Sequence, residues 1–202
     1  MKTKPISVRK LAVMGMLTAI SAVLMFFEMP LPLMPPFLKL DISAVPILLG
    51  SFLFGPLEGV IIAFLKACIH LLSTQTAGVG ELADFLITAS FALTGGIVYR
   101  IWHSKKGVMV ACAASVAAIT IVGAIANWTI LLPFYAAAYM PYDAIIAACQ
   151  ALNPAITDLK GYILFGVVPF NLGKGCVVAA LTVLLYTRME TILVKKKLET
   201  AE

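Results

Sequence analysis

The sequence has few charged residues. Only 12% of its 202 residues are Asp, Glu, Lys or Arg, whereas 61% are hydrophobic. Soluble domains carry about 25% charged residues, so this composition excludes an ordinary soluble protein. The mean hydropathy of +1.01 is typical of an integral membrane protein. We expect a single transmembrane domain over residues 1–202, all-α in class.

Motifs of enzymes and metal proteins are also missing. The sequence contains no H-E-x-x-H, no G-x-S-x-G and no C-x-x-C, and Asp143 and Asp158 are isolated. The segment from Gly166 to Lys174 superficially resembles a phosphate-binding loop. Its spacing is wrong, because six residues rather than four separate Gly166 from Gly173, and a glycine follows the lysine. We therefore expect no enzyme, no metal and no cofactor.

Cysteines are few and far apart. The four lie mostly within apolar segments, where the simplest interpretation is that they are small packing residues: Cys68, Cys112, Cys149 and Cys176.

Basic residues give a net charge of +5 but form no aromatic-interleaved basic face, which argues against nucleic-acid binding. They flank six apolar segments instead, which we predict to be transmembrane helices in contact with lipid: residues 8–27, 42–54, 60–72, 82–99, 108–132 and 161–186. With six segments both termini lie on one side, and nearly all basic residues lie there too. The opposite side has only Lys39 and Lys160. The positive-inside rule therefore predicts cytoplasmic termini.

The loop between the first two segments is rich in proline. Pro30, Pro32, Pro35 and Pro36 exclude a regular helix and make the loop semi-rigid. We predict that it lies outside and acts as a lid over a cavity mouth. A plain connector in the membrane interface is the alternative.

Polar residues interrupt the last segment at Val168–Gly175. Asn171 and Lys174 are three residues apart, so on a helix they share a face. A lysine near the bilayer centre costs on the order of 3 kcal/mol, and such residues usually face a partner or a wet cavity. We interpret the pair as one wall of a polar ligand site. Asn127 serves either as a contact between helices or as a second group that recognises a flat heterocyclic amide.

Other polar residues have simpler interpretations. Snorkelling to the interface is favoured for Lys66, and packing for His70. Glu81 and Asp84 suit the first turn of a helix. Gly78 would allow the backbone to approach a ligand closely, although glycine is common in turns.

The first segment carries small residues at spacings of three and four: Ala12, Gly15, Ala19 and Ala22. Such a stripe permits close approach of another helix, either within the bundle or in a partner subunit. Met16 makes the stripe only partly regular.

Four motifs together resemble the substrate-binding S components of energy-coupling-factor (ECF) vitamin transporters, most closely the riboflavin-specific ones. The resemblance spans nearly the whole chain and rests on Phe37–Ser43, Phe54–Gly59, Ala77–Glu81 and Pro169–Gly175. It implies a bacterial cell-membrane protein that captures riboflavin outside and delivers it inward. The implied partners are a transmembrane coupling subunit and two ATPase subunits.

The resemblance also implies roles for individual residues. Leu40 would cover the flavin ring, Asn127 would bond its polar edge, and Asn171 and Lys174 would bond ribityl or ring oxygens. Gly78 and its neighbours would close the site. The Ala12, Gly15, Ala19 and Ala22 stripe would meet the coupling subunit.

A stand-alone channel or secondary transporter for another small neutral metabolite is the alternative function. The absence of an internal repeat and of a chain of intramembrane acids weighs against it.

Overall fold

The structure, a computed structural model, describes residues 8–30, 38–74, 76–139 and 141–199, with residues 189–199 by backbone alone. The described chain is almost entirely helical. Its elements are α1 (Val8–Met25), β1 (Met29–Pro30), β2 (Lys39–Leu40), α2 (Ala44–Phe54), α3 (Pro56–His70), a 3-10 turn (Leu71–Ser73), α4 (Val79–Ile101), α5 (Lys105–Ala126), a first π-turn (Asn127–Leu131), α6 (Leu132–Ala138), α7 (Tyr142–Leu152), α8 (Leu159–Tyr162), a second π-turn (Ile163–Val167) and α9 (Val168–Glu199).

Within the described residues, five helical stretches are long and apolar enough to cross a bilayer: Val8–Met25, Pro56–Ser73, Val79–Ile101, Lys105–Ala138 and Leu159–Arg188. The chain is therefore an all-α membrane protein. The remaining predicted span corresponds to α2, which has 11 residues. At about 1.5 Å per residue, α2 covers only about half of the hydrocarbon thickness.

The α2 helix forms the centre of the bundle. Residues 44–52 are all buried, and the helix packs against α1, α3, α4 and α9. Its sequence is apolar all round, as expected for a helix that protein surrounds on every side. A helix that is enclosed over nearly its whole length need not match the bilayer thickness, which explains how so short an element fits among long ones.

Two helices differ from the predicted bounds. α3 begins at Pro56 rather than residue 60, because proline suits the first position of a helix and Gly55, at φ 127°, lets the chain reverse just before it. The last segment was predicted to be interrupted at Val168–Gly175, but α9 continues unbroken through these residues. The irregularity precedes them, in the second π-turn.

The predicted lid is described only at its two ends. Met29 pairs with Leu40 and Pro30 with Lys39 in a short antiparallel ladder, which the sequence did not predict. Pro32, Pro35 and Pro36 lie outside the described residues, so the lid itself remains a prediction.

Candidate substrate-binding site

A cavity of about 560 Å³ lies at the end of the bundle that carries the β1–β2 ladder. This volume falls within the range typical of small-molecule sites, about 300–1,000 Å³. Its wall mixes apolar and polar side chains from most of the bundle: Met25, Phe26, Glu28, Leu38, Lys39, Asp41, His70, Ser73, Thr76, Gly80, Glu81, Ala83, Asp84, Ile87, Asn127, Leu131, Tyr135, Tyr139, Phe170, Asn171 and Lys174. Three of the five predicted binding residues are among them.

Two buried carboxamides face this cavity. Asn127 and Asn171 are 4% and 3% exposed, and each uses one amide hydrogen to reach the carbonyl four residues earlier, Gly123 O and Val167 O, at 2.9 Å. Tyr162 donates its hydroxyl to Oδ1 of Asn127 at 3.0 Å. Among the described residues, Oδ1 of Asn171 accepts no hydrogen bond. An enclosed amide with unused capacity is suited to a polar ligand.

A π-turn lies next to each of these amides. Asn127 opens the first π-turn, and Asn171 follows the second by four residues. A proline follows each π-turn after one intervening residue: Pro133 or Pro169. Proline cannot donate to the preceding turn, and the wider register accommodates that lost bond. Such turns often mark functional sites in helices.

The ammonium of Lys174 is paired with a carboxylate. Its Nζ lies 2.5 Å from Oδ2 of Asp41, and both side chains are almost completely buried. Asp41 Oδ1 accepts from the backbone N–H of Ser43 at 2.8 Å and from the Ser43 hydroxyl. Lys174 therefore faces the cavity as a neutralised ion pair rather than as an isolated cation.

A second ion pair adjoins the first through Ser43. Lys66 is 0% exposed, and its Nζ lies 2.5 Å from Oδ2 of Asp84 and 3.2 Å from the Ser43 hydroxyl. The favoured interpretation of Lys66 as a snorkelling residue is therefore wrong, because its ammonium points into the bundle. Asp84 does more than complement a helix dipole, since it is the counter-ion of Lys66.

A third group of polar contacts holds the loop before α4. Glu81 lies 3.1 Å from Nδ1 of His70 and accepts from the hydroxyls of Thr74 and Thr76 at 2.9 and 3.2 Å. Gly78, at φ 87°, shapes this turn and donates its N–H to Thr74. The cavity wall itself includes Thr76 and Gly80 rather than Gly78.

The ladder also contributes to the cavity wall. Leu38 and Lys39 line the cavity, and the Lys39 ammonium pairs with Glu28. Leu40 is half-buried and stands between lining residues without lining the cavity itself.

The small-residue stripe on α1 divides between two environments. Ala12, Gly15 and Ala19 are exposed, and a Cβ on Gly15 would meet nothing within 4 Å. Ala22 is 4% exposed and belongs to the interior of the bundle. The exposed stripe is thus one position shorter than the sequence pattern.

No chemistry beyond binding is visible in the described part of the chain. No group of three His, Cys, Asp or Glu residues there could hold a metal ion, and the four cysteines are free.

Comparisons with known proteins agree with this picture. The family model "ECF transporter, substrate-specific component" matches residues 9–186. The riboflavin transporter RibU of Staphylococcus aureus (strain TCH60) is 36% identical and the riboflavin transporter FmnP of Bacillus subtilis (strain 168) 31% identical, with 92% and 91% of this chain covered and 92% and 93% of theirs. A solved S component of a bacterial ECF transporter is 34% identical, with a TM-score of 0.74 over 92% of this chain and 97% of that one. The chain therefore belongs to the family of substrate-specific components of ECF transporters.

Proposed function

We propose that this protein is the riboflavin-binding subunit of an ECF importer. The observation that carries the proposal is the cavity, whose wall combines two buried amides with a buried lysine. Riboflavin offers carbonyls and an imide for the carboxamides and an apolar ring for Leu38, Ile87 and Phe170. The two relatives described above are named riboflavin transporters, and each is similar to this chain over nearly its full length. As a member of a transport family, the protein is not an enzyme, and riboflavin is its cargo rather than a cofactor.

The position of the cavity supports uptake from outside. Arg9, Lys10, Arg100, Lys105 and Arg188 all belong to the end of the bundle opposite the cavity. Lys10 pairs there with Glu58 at 2.5 Å. By the positive-inside rule this basic end, with both termini, is cytoplasmic, and the cavity opens outward.

Transport requires partners that supply energy. We place a transmembrane coupling subunit against the exposed Ala12, Gly15 and Ala19 face of α1, and two ATPase subunits beyond it. Small residues allow two helices to approach closely in lipid, where apolar area alone gives little reason to associate.

The experiment is a flavin-binding measurement on purified protein. Mass spectrometry of co-purified small molecules identifies the ligand, and quenching of riboflavin fluorescence gives its affinity. We expect submicromolar binding, weakened by at least about 1 kcal/mol in Asn171→Ala through the lost hydrogen bond. Lys174→Ala should also weaken binding, but it leaves Asp41 unpaired, so its thermal stability must be followed in parallel.

The matched control is Leu172→Ala. Leu172 is next to Asn171 on α9 but is 43% exposed and points away from the cavity. Its truncation should leave the affinity unchanged. Absence of riboflavin binding to the wild type would overturn the proposed function, and equal affinities of wild type and Asn171→Ala would overturn the site.

A further inference from the structure

Every charged side chain on the cavity wall has a counter-charge or a hydrogen-bond partner from a neighbouring element. The wall carries four carboxylates but only two ammonium groups. The pairs are Lys39 with Glu28, Lys174 with Asp41, the cavity-lining Asp84 with the buried Lys66, and Glu81 with His70. The internal residues outside the description, 31–37, 75 and 140, have no ionisable side chains.

This arrangement is unfavourable for an anionic ligand. A phosphate group needs cations or several free N–H donors. Both ammonium groups on the wall are already engaged, and like charges placed close together at a buried surface cost several kcal/mol. A neutral ligand leaves all of these pairs intact.

Asp41 is the carboxylate that neutralises the deepest cation. It is 6% exposed and is held from two sides, by Lys174 at 2.5 Å and by the Ser43 N–H at 2.8 Å. Lys39, by contrast, lies in the half-exposed ladder, where water weakens any interaction with an anion. Among the wall residues that the structure describes, Asp41 therefore contributes most to neutralising the charge of Lys174.

We propose that Asp41 is a specificity-determining residue: by neutralising Lys174, it makes the cavity select riboflavin over phosphorylated flavin. The inference rests on the proposed function, since it presumes that the ligand is a flavin. Asp41 acts through Lys174 and is in this sense a positioning residue for the ligand.

The first test uses wild-type protein and needs no variant. Riboflavin and flavin mononucleotide are titrated separately by fluorescence quenching, and we expect riboflavin to bind at least about tenfold more tightly, or about 1.4 kcal/mol. Equal affinities would overturn the inference while leaving the proposed function standing. Failure of riboflavin to bind would instead overturn the proposed function itself.

The second test is Asp41→Asn. Asparagine keeps the shape and the oxygen that accepts from Ser43, but it leaves the Lys174 charge uncompensated. We expect the preference for riboflavin to narrow by about tenfold, through tighter binding of flavin mononucleotide. An unchanged ratio of the two dissociation constants would refute the role of Asp41.

Two further variants distinguish a specific effect of Asp41 from an effect of the net charge of the wall. Glu81→Gln removes the same charge from the same wall but leaves Lys174 paired, so the ratio should change by less than about threefold. In the double variant Asp41→Asn with Lys174→Met, the tighter binding of flavin mononucleotide should disappear. Tighter binding that persists in the double variant, or an equal increase in affinity in Glu81→Gln, would overturn the inference. If Asp41→Asn does not fold, the wild-type titration still tests the inference, because equal affinities for riboflavin and flavin mononucleotide would overturn it.

Discussion

At the residue scale, the position of the Asn171 carboxamide depends on a glycine of the facing helix. A Cβ added to Gly123 would lie 2.7 Å from Nδ2 and 2.9 Å from Oδ1 of Asn171. These distances are too short, so the amide would have to move. We expect Gly123→Ala to weaken riboflavin binding about tenfold, because a displaced amide loses its ligand contact.

The control for this prediction is Gly173→Ala. A Cβ there would meet nothing within 4 Å, although the substitution makes the same change in helix propensity. Quenching titrations of both variants give the comparison. Equal affinities of the two variants would show that Gly123 has no role in placing Asn171.

The ionisation of Asp41 gives a second prediction at this scale. Burial alone would raise its pKa, but the ammonium groups of Lys174 and Lys66, with hydrogen bonds from Lys174 and Ser43, hold the pKa below its ordinary value. A lowered pKa in the folded state means that the stabilisation is present above the ordinary value, near 4, and is lost only as the pH falls through the lower folded value.

The difference in thermal stability between wild type and Asp41→Asn should therefore stay constant from about pH 8 to about pH 5. Comparing the two proteins cancels the contributions of groups whose surroundings the substitution leaves unchanged. A difference that shrinks between pH 6 and pH 5 would mean that the folded Asp41 carboxyl titrates there, contrary to the ion-pair geometry.

At the scale of elements, α4 packs against α2 through glycine. A Cβ on Gly96 would lie 2.2 Å from the Ser51 Oγ and 2.7 Å from the Pro56 Cα, and the latter is backbone. Ser51 also joins the two helices by donating its hydroxyl to Ala92 O at 2.6 Å. We expect Gly96→Ala to force the helices apart and to destabilise the fold by about 1–3 kcal/mol.

Thermal unfolding in detergent measures this effect. Gly15→Ala on α1 is the matched control, because its added methyl group meets open space. The transition temperature should fall for Gly96→Ala and hold for Gly15→Ala. Equal transition temperatures would contradict the close packing of α2 against α4.

The elements were predictable to different degrees. Long apolar runs identified the spanning helices, since helices satisfy every backbone group in lipid. Pro133 and Pro169 were visible signals for the π-turns, but proline alone does not say whether a helix breaks or widens. The ladder of β1 and β2 was missed because each strand has two residues and no alternating pattern.

The pairing of residues in the site could not be predicted from the sequence, for a different reason. Asn171 and Lys174 were predicted to line the site because polar groups at membrane depth are costly. Their partners were not, since Asp41 is 133 residues from Lys174 and lies in a different element. Only the packing of α9 against the start of α2 brings the two charges together.

For the whole molecule, the proposed binding cavity and the proposed docking face lie on separate surfaces. The cavity belongs to the end with the ladder, whereas the face of Ala12, Gly15 and Ala19 lies on the outside of α1. A Cβ on Gly15 meets no atom of the protein itself. A large side chain at this position should therefore leave the isolated subunit unchanged and obstruct only a partner helix.

Gly15→Trp tests this separation. We expect riboflavin affinity and thermal stability of the purified subunit to match the wild type, while riboflavin uptake by cells and co-purification with the coupling subunit fall at least about tenfold, because the indole ring prevents close helix approach. Ile20→Trp is the control, since Ile20 is 47% exposed and, five residues after Gly15, lies about 140° around the same helix. Normal uptake with Gly15→Trp would place the docking surface elsewhere on the subunit, whereas lost binding would mean that α1 supports the cavity rather than the partner.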